Sequence, residues 1–543
     1  MLKETITEIL SDSIGKLYPE IKVEIICDTP KNPLHGDLSV NVAMQLAKPL
    51  GQTPRSIAEY IINSTDFDNQ IIEKVDIAGP GFINFKFTNV FIAQCLSKVV
   101  QDSQNFGKQN IGQNKKVNVE YVSANPTGLL HLGHGRNAVI GDTVANLYKW
   151  LGYDVTREYY FNNAGNQMNN LAKSIFARYQ QIVDPEFPFP EDGYHGEYIK
   201  NIAADLRTEF PDNLPGTDLE ILELCRKKGE EWCFTKILAT LKRMKISQEV
   251  FYNEDSLYSD GKINEVINEF KNLNLAYEKD GALWLKLSEM GLENDRVIVK
   301  SSGEPTYRLP DIAYHREKFK RGFDIIIDVF GADHIATVPD VIAGIKALGF
   351  NPEQIKVLIH QFVSLTENGE LVKMSKRTGK SYTLDDLLDE VGEDVVRFFL
   401  LMRGIGTHLE FDLSLAREQS DKNPVFYLQY AHARICSVFD KAAELYKIPV
   451  DLSLLTTSEE LTLIKKIFLF PETIRTSANK FEPQILTEYL RDLASLFHIF
   501  YHNCRIIGID ENLGAARLRL AEATRSVMLN GLSILGINAP ERM

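Results

Sequence analysis

The stretch Val117–Gly152, VNVEYVSANPTGLLHLGHGRNAVIGDTVANLYKWLG, holds the pattern from which the architecture follows. An extended run, VNVEYVSAN, ends in the turn Pro126-Thr127-Gly128. His131-Leu132-Gly133-His134 comes next, then a helical spacing of Ile140, Val144, Leu147, Tyr148 and Leu151 that stops at Gly152. A second strand-like run, YDVTREYY (153–160), follows. Strand, helix and strand in this order make a βαβ unit, the opening of a doubly wound parallel sheet, in which ligands collect where strands end and helices begin. The amides of the first helical turn and the positive end of its dipole then face the site. His131 and His134 can donate to phosphate oxygens without carrying a permanent charge, and Gly133 removes the side chain where an adenine ring would lie against backbone. Two histidines around a glycine can also merely close a turn, but their position at the first crossover favours a ligand.

Downstream, Lys373-Met374-Ser375-Lys376-Arg377 sits in GELVKMSKRTGK between Gly369 and Gly379, ahead of a helix at TLDDLLDEVG with Thr383 as its cap. Cations on a loop that opens and closes can meet the β- and γ-phosphates as the transition state forms, which raises rate rather than ground-state affinity. A solvated basic turn would look the same in isolation, yet it leaves the partner motif unexplained. The two motifs imply adenylation chemistry, in which a nucleoside triphosphate loses pyrophosphate.

At 543 residues the chain predicts several domains. Residues 1–108 read as a small α+β module: an amphipathic helix from the start, the extended IKVEIICDT, helices at VNVAMQLAKPLG and TPRSIAEYII, and strand-like runs in VDIAGPGFINFKF and part of the following segment. KQNIGQNKK (108–116) is a linker. Residues 116–385 form the α/β core, interrupted at about 170–290 by a polar, helical insertion. The alternation resumes with ALWLKL, RVIVKS, FDIIIDVFGADH and IKVLIHQFVSL. A connecting helical segment spans 386–422, and from Asn423 to residue 543 only helical periodicity remains, as in a bundle.

The 44% apolar and 25% charged fractions are those of an ordinary soluble protein, and no uninterrupted apolar run is long enough to span a membrane. The acidic, helical start does not suit a signal peptide, so a cytoplasmic protein is expected. The six cysteines show neither a CxxC pair nor a histidine at metal-ligand spacing, which disfavours structural zinc and disulfides. A net charge of −14 argues against nucleic acid at first, but residues 421–543 are balanced, with 14 basic and 14 acidic residues. Charge neither requires RNA nor excludes it.

His131-Leu-Gly-His134 and Lys373-Met-Ser-Lys-Arg377 resemble the two signature motifs of class I aminoacyl-tRNA synthetases. VEYVSANPTGLLHLGHGR, PTYRLPDIAYHREK and NPVFYLQYAHAR, with LHGDLSVNVAM, AGPGFINF and the terminal APERM, narrow the resemblance to arginyl-tRNA synthetases of bacterial type, over the whole chain. The resemblance implies a Rossmann-type catalytic core with a helical insertion, an N-terminal α+β module that contacts the tRNA elbow, and a C-terminal α-helical anticodon-binding bundle. It implies ATP as substrate with Mg²⁺ on its phosphates, L-arginine and tRNA-Arg as partners, a monomer, and a first step that requires tRNA; the scattered cysteines leave no zinc expected, and no residue is singled out as a metal ligand. Arginine carboxylate would attack the α-phosphorus, and the 2′-hydroxyl of the terminal tRNA adenosine would then displace AMP.

For the residues, the resemblance places Glu254, Tyr307 and Asp311 on the guanidinium and Asn125, with Ser123 beside it, on the amino-acid end. Carboxylates and a phenol are what a planar, permanently charged group needs. Gly331-Ala-Asp333-His334 borders the ATP and arginine sites, and Gln361 is placed near the adenosine. With His131, Gly133 and His134 they complete the ATP set, joined by Met374, Ser375 and Lys376; Lys373 and Arg377 act on the transition state. For tRNA the candidates are Phe82 and Asn84 in the N-terminal module and Tyr427, Gln429, Tyr430 and Arg434, with Phe497, Tyr501 and Arg505, in the bundle. Arg525 stands in EATR, where the family has its DALR motif, a departure that keeps the helix. For each bundle aromatic taken singly, a place in the core explains it better, and for Phe82 it explains it equally well. A small nucleotidyltransferase would lack both RNA modules, another class I synthetase would lack the Glu254 and Asp311 pair, and a non-catalytic relative would be expected to lose His134 or Lys376.

Overall fold

The computed structural model describes residues 1–30, 32, 35–163, 165–372 and 382–543. Five parallel strands make the central sheet: β1 (Lys116–Glu120), β2 (Asp154–Phe161), β3 (Val250–Asn253), β4 (Ile325–Gly331) and β5 (Ile355–His360), in the order β5-β4-β1-β2-β3. The chain runs from β1 to β2 and β3 on one side and returns to β4 and β5 on the other, so the switch point lies between β1 and β4. Because side chains alternate along a strand, β1 has two characters. Val117 and Val119 join the main apolar core, while Asn118 and Glu120 are buried polar residues.

Helix α1 (Leu132–Trp150) carries the two histidines at its start and is buried from Gly135 through Ala145. It is enclosed by the sheet on one side and the C-terminal helices on the other. Gly141 is required there, since a Cβ would lie 2.2 Å from the Tyr121 ring. Two buried guanidiniums anchor this helix to its surroundings. Arg136 donates to the carbonyls of Gln361, Gly404 and Thr407 at 2.8–2.9 Å. Arg397 donates to the carbonyls of Leu535 and Met244 and to Asp142 of α1. The Asn146 amide reaches the Ile534 carbonyl at 3.0 Å. The last carbonyls of the chain's final helix, Glu511–Leu535, are thus satisfied by the catalytic core.

Several sequence expectations change. The strand Val250–Asn253 lies inside the stretch read as an insertion and is an edge of the main sheet. The helical insertion is therefore Asn166–Gln181, Glu197–Glu209 and Asp218–Arg243, which share a separate small core. ALWLKL and RVIVKS do not resume the parallel sheet; Ala282–Leu285 and Arg296–Val299 pair antiparallel in a separate three-stranded sheet with Ala276–Lys279. β1 ends at Glu120, and VSAN leaves the sheet with Val122 and Ser123 at φ 69° and 41°. Val363–Glu367 likewise leaves β5 to pair with Leu409–Asp412.

The N-terminal module packs helices Leu2–Leu17, Val42–Leu50, Pro54–Ser64 and Asn89–Gln101 with a four-stranded antiparallel sheet. VDIAGPGFINFKF supplies both long strands, and the segment after it is a helix capped by Thr88, not a strand. Of IKVEIICDT only Cys27–Asp28 is strand. The C-terminal part is helical, with Pro424–Lys441 capped by Asn423, then Ser458–Phe468, Phe470–Lys480, Gln484–Asn503 and Glu511–Leu535. All six cysteines are buried free thiols, and among the described residues no helix is long and apolar enough to cross a membrane.

Candidate active site

The carboxyl ends of the five strands define the site. At the first turn of α1 the two histidines act as reciprocal caps. The Gly133 N–H donates to His131 Nδ1 at 3.1 Å, and the His131 N–H donates to His134 Nδ1 at 3.3 Å. A nitrogen that accepts carries no proton, so each neutral ring bears its proton on Nε2. The rings stack with centroids 3.8 Å apart. Burial, and then the neighbouring His131 and His360, push His134 down to about 3, so it stays neutral at any physiological pH. Neutral N–H donors at the positive end of a helix suit a polyanion that must be held and then released.

Asn137, one turn further, ties the ends of three strands together. Its Oδ1 accepts from the Val122 N–H at 2.6 Å, its Nδ2 donates to the Val329 carbonyl at 2.7 Å, and His360 Nε2 lies 3.4 Å away. Asn137, Arg136 and His360 were not singled out by sequence; the available signal was the polar pair Arg136-Asn137 following the histidine motif. Gln361 follows β5 and is half-buried, its backbone held by Ile405 and Arg136. Asp333 and His334 form an exposed turn after β4, with the His334 ring stacked on Phe330.

Lys373, Met374, Ser375, Lys376 and Arg377 lie outside the described residues. Their described flanks approach the histidine motif: helix α3 (Leu384–Val391) starts with the Leu384 N–H bonded to the Leu130 carbonyl at 2.8 Å, beside His131. Thr383 caps it, accepting from the Asp386 N–H, as its sequence predicts.

Across the switch point lies an acidic pocket. Glu254 follows β3, its N–H held by the Phe161 carbonyl, and Asp311 sits in the first turn of helix α2 (Arg308–Lys320). Glu254 is 7% exposed, and its Oε2 has no hydrogen-bond partner among the described residues. Burial, with Asp311 as the nearest charge, pushes Glu254 up to about 7; burial likewise pushes Asp311 up to about 6. No described cation pairs with either. The buried Tyr160 hydroxyl between these carboxyls also lacks a partner. The Asp311 N–H bonds to the Tyr307 carbonyl, so the two are one turn apart as expected, but the Tyr307 side chain is 82% exposed and stands at the rim rather than against Asp311. Ser123 donates to Glu120 and accepts from the Tyr160 N–H, while Asn125 Nδ2 reaches Gln167 at 2.7 Å. Tyr160 and Gln167 were also missed by sequence, being an aromatic in a strand and one amide among several.

The presumed RNA contacts divide. Asn84 is only 4% exposed, in register between Ser39 and Asp76, so its placement as a base reader is corrected: it belongs to the module's interior. Phe82, next to the tight turn at Gly81, is 38% exposed. Gln429 is likewise corrected, since its amide nitrogen is spent on Asp394 and the Asn538 carbonyl. Phe497 is core, and Arg525 packs on Phe439. Tyr430 and Tyr501 remain at the surface with the Arg434 guanidinium 4.7 and 5.3 Å from their rings, and Tyr427 packs on His498. Arg505 is exposed.

With this geometry in place, comparison with known proteins is direct. A family model for the catalytic domain of class I tRNA synthetases (R) matches residues 95–399, one for the arginyl tRNA synthetase N-terminal domain matches residues 2–87, and one for the DALR anticodon-binding domain matches residues 428–543. An arginine–tRNA ligase of Salinibacter ruber is 47% identical over 98% of this chain and 98% of its own, and one of Desulfotalea psychrophila is 46% identical over 95% and 94%. The Thermus thermophilus arginyl-tRNA synthetase structure covers 100% of both chains with a TM-score of 0.79 at 21% identity, a likeness of fold.

Proposed function

The chain belongs to the arginyl-tRNA synthetases of class I and is an ATP-dependent arginine–tRNA ligase, and on that premise we propose which residues carry each part of the reaction. The observation that carries the reading is the pair Glu254, buried just after β3, and Asp311, half-buried in the first turn of α2: two carboxyls held above their usual range with no described cation paired to either. A guanidinium is the group whose charge and planar donors complete them. Asn125 and Ser123 would then hold the amino-acid end, with Tyr307 at the rim. His131, Gly133 and His134 would take the ATP phosphates and adenine, with Asp333, His334 and Gln361 around them, and Lys373, Met374, Ser375, Lys376 and Arg377 would meet the leaving pyrophosphate.

Arginine carboxylate attacks the α-phosphorus and pyrophosphate leaves; the 2′-hydroxyl of the terminal tRNA adenosine then attacks the adenylate carbonyl and AMP leaves. Positioning and charge stabilisation suffice, and no side-chain nucleophile is called for. Mg²⁺ bound with ATP would neutralise phosphate charge; the described residues contain no group of three His, Cys, Asp or Glu side chains that could hold a metal ion. Residues 1–108, with Phe82, are assigned to the tRNA elbow. The bundle 423–543, through Tyr427, Tyr430 and Arg434 with Tyr501, Arg505 and Arg525, is assigned to the anticodon arm, where aromatic faces and guanidiniums suit unstacked bases. A cytoplasmic monomer completes the proposal.

ATP–pyrophosphate exchange run with each amino acid, with and without tRNA, tests it. Exchange is expected with arginine alone among amino acids and only when tRNA is present, and Lys376→Ala should lower it sharply at unchanged tRNA affinity. Exchange driven by another amino acid would refute the pocket, and tRNA-independent exchange would refute the tRNA requirement.

The pocket's charge state gives a second prediction. Free Glu254 titrates at about 7 and Asp311 at about 6, whereas a bound guanidinium favours both carboxylates. The complex therefore binds fewer protons than the free enzyme, and arginine binding releases them. Affinity should be level above both values and weaken as pH falls, by up to about tenfold per pH unit once Glu254 is protonated and up to about a hundredfold once Asp311 is protonated as well. Calorimetry in buffers of different ionisation enthalpy would detect the released proton; a heat independent of buffer would contradict it.

A further inference from the structure

Beneath the arginine pocket, Glu158 of β2, Glu120 of β1 and Asp328 of β4 lie directly opposite one another across the three middle strands, all buried. Like charges facing across strands are destabilising, and desolvation deepens the cost. Helix α2 and the residue after it answer this row with His315, Lys318 and Arg321, spaced three apart on one face. Lys318, fully buried, places Nζ 2.6 Å from Glu120 Oε2 and 2.6 Å from Asp328 Oδ1. Arg321 donates to both Glu158 oxygens at 2.6 and 2.8 Å, joined by the Tyr314 hydroxyl. His315 Nε2 is 3.0 Å from Asp328 Oδ2, and its Nδ1 is 2.8 Å from the Asp311 carbonyl, a pair of acceptors that only the doubly protonated ring satisfies.

This row of charges has two outlets, both at the pocket. Through His315 it holds the backbone of Asp311. Through Glu120, whose Oε1 accepts the Ser123 hydroxyl at 2.9 Å, it holds the turn in which Val122 and Ser123 keep φ at 69° and 41° and from which Asn125 projects. Among the described residues Lys318 is the one cation that touches both branches. We propose that Lys318 is a positioning residue that sets arginine affinity by fixing the guanidinium end of the pocket on α2 against the amino-acid end after β1. The proposal rests on the pocket reading given above. Apolar packing alone lets a helix shift along a sheet by fractions of an ångström, whereas a lysine shared by two facing carboxylates has one register.

The test is steady-state aminoacylation by Lys318→Met with arginine and ATP varied separately, beside Asp311→Ala. In Lys318→Met the KM for arginine should rise about 10- to 100-fold while the KM for ATP stays within about twofold. Where Lys318→Met yields no folded protein, His315→Gln, which cuts only the link from Asp328 to the Asp311 carbonyl, carries the test with the same expected split. An unchanged arginine KM in a folded variant, or arginine and ATP values rising together, overturns the proposal. If Asp311→Ala raises the arginine KM and the Lys318 and His315 variants do not, the proposal alone fails. If Asp311→Ala leaves it unchanged, the pocket reading fails and the proposal with it.

Discussion

Asp311→Ala is expected to lower kcat/KM for arginine by about 10²- to 10³-fold while leaving the KM for ATP within about twofold. On the proposed reading a guanidinium drawn into this pocket gives up its hydration, and among the described residues Asp311 and Glu254 would answer its charge. Removing one partner of a buried charge pair costs about 3–5 kcal/mol, because the remaining charge is left short of compensation. The same change should not lower the melting temperature. In the free enzyme Asp311 makes no described ion pair, and burial already holds its carboxyl up at about 6, so its removal takes away a desolvated, unpaired acid rather than a stabilising contact. Asp311→Asn separates charge from shape: it keeps the volume and one acceptor, and should recover little activity if charge is what binds. Initial-rate kinetics with a parallel thermal melt decide the matter. Loss of stability in step with loss of activity, or full activity in the Asn variant, would mean that Asp311 supports the helix instead of the substrate.

The contrast between these acids and their neighbours explains what a sequence can and cannot reveal here. Glu120, Glu158, Asp328, Glu254 and Asp311 are all carboxyls in or beside the catalytic core. Three of them are neutralised in the fold: burial alone would raise Asp328 and Glu158, yet Lys318 with His315, and Arg321, hold them below the usual carboxylate range. Two, Glu254 and Asp311, are left without a described cation, and these are the two proposed for the substrate. Motif resemblance singled out Glu254 and Asp311, but nothing in the one-dimensional pattern reveals that Glu120 faces Asp328 on one side and Glu158 on the other. That juxtaposition comes from strand order, which joins residues about two hundred positions apart.

The fold was legible where periodicity was long. The unit from β1 through α1 to β2, the C-terminal helices and the cap at Thr383 follow from spacing and local hydrogen bonding. It was illegible where runs were short. VFYN at β3 and ALWL or RVIV in the separate sheet have the same length and the same β-branched and aromatic character, and only tertiary placement makes one a parallel core strand and the others an antiparallel outlier. The helix Asn89–Gln101 was masked by its valines and isoleucine, whose strand preference is weak against a Thr88 cap and a buried face of Ile92, Cys95, Leu96 and Val99. Asn84 shows the same limit at a single residue, since polarity suggested exposure and the sheet register put the side chain inside.

His134→Ala should slow ATP–pyrophosphate exchange by about 10²- to 10³-fold, the usual cost of losing one preorganised donor to charge that develops in the transition state. His134 also stabilises its helix by capping the His131 N–H, and that loss is worth about 0.5–2 kcal/mol of stability. The two roles can be pulled apart because His134 occupies the third position of the helix, where a glutamine side chain reaches back to the same N–H. His134→Gln should therefore regain the melting temperature while keeping most of the kinetic defect, since its amide serves the cap and no longer offers a donor at the place of Nε2. The pH profile gives an independent check. With His134 held down at about 3, the exchange rate of the native enzyme should show no inflection from this residue between pH 5 and 8, and the same profile shape should persist in His134→Gln. An inflection near the ordinary histidine value that vanishes with the substitution would mean that the ring acts as an imidazolium on the phosphates. The capped, stacked geometry with Nδ1 as acceptor, from which the neutral donor follows, would then have to be abandoned.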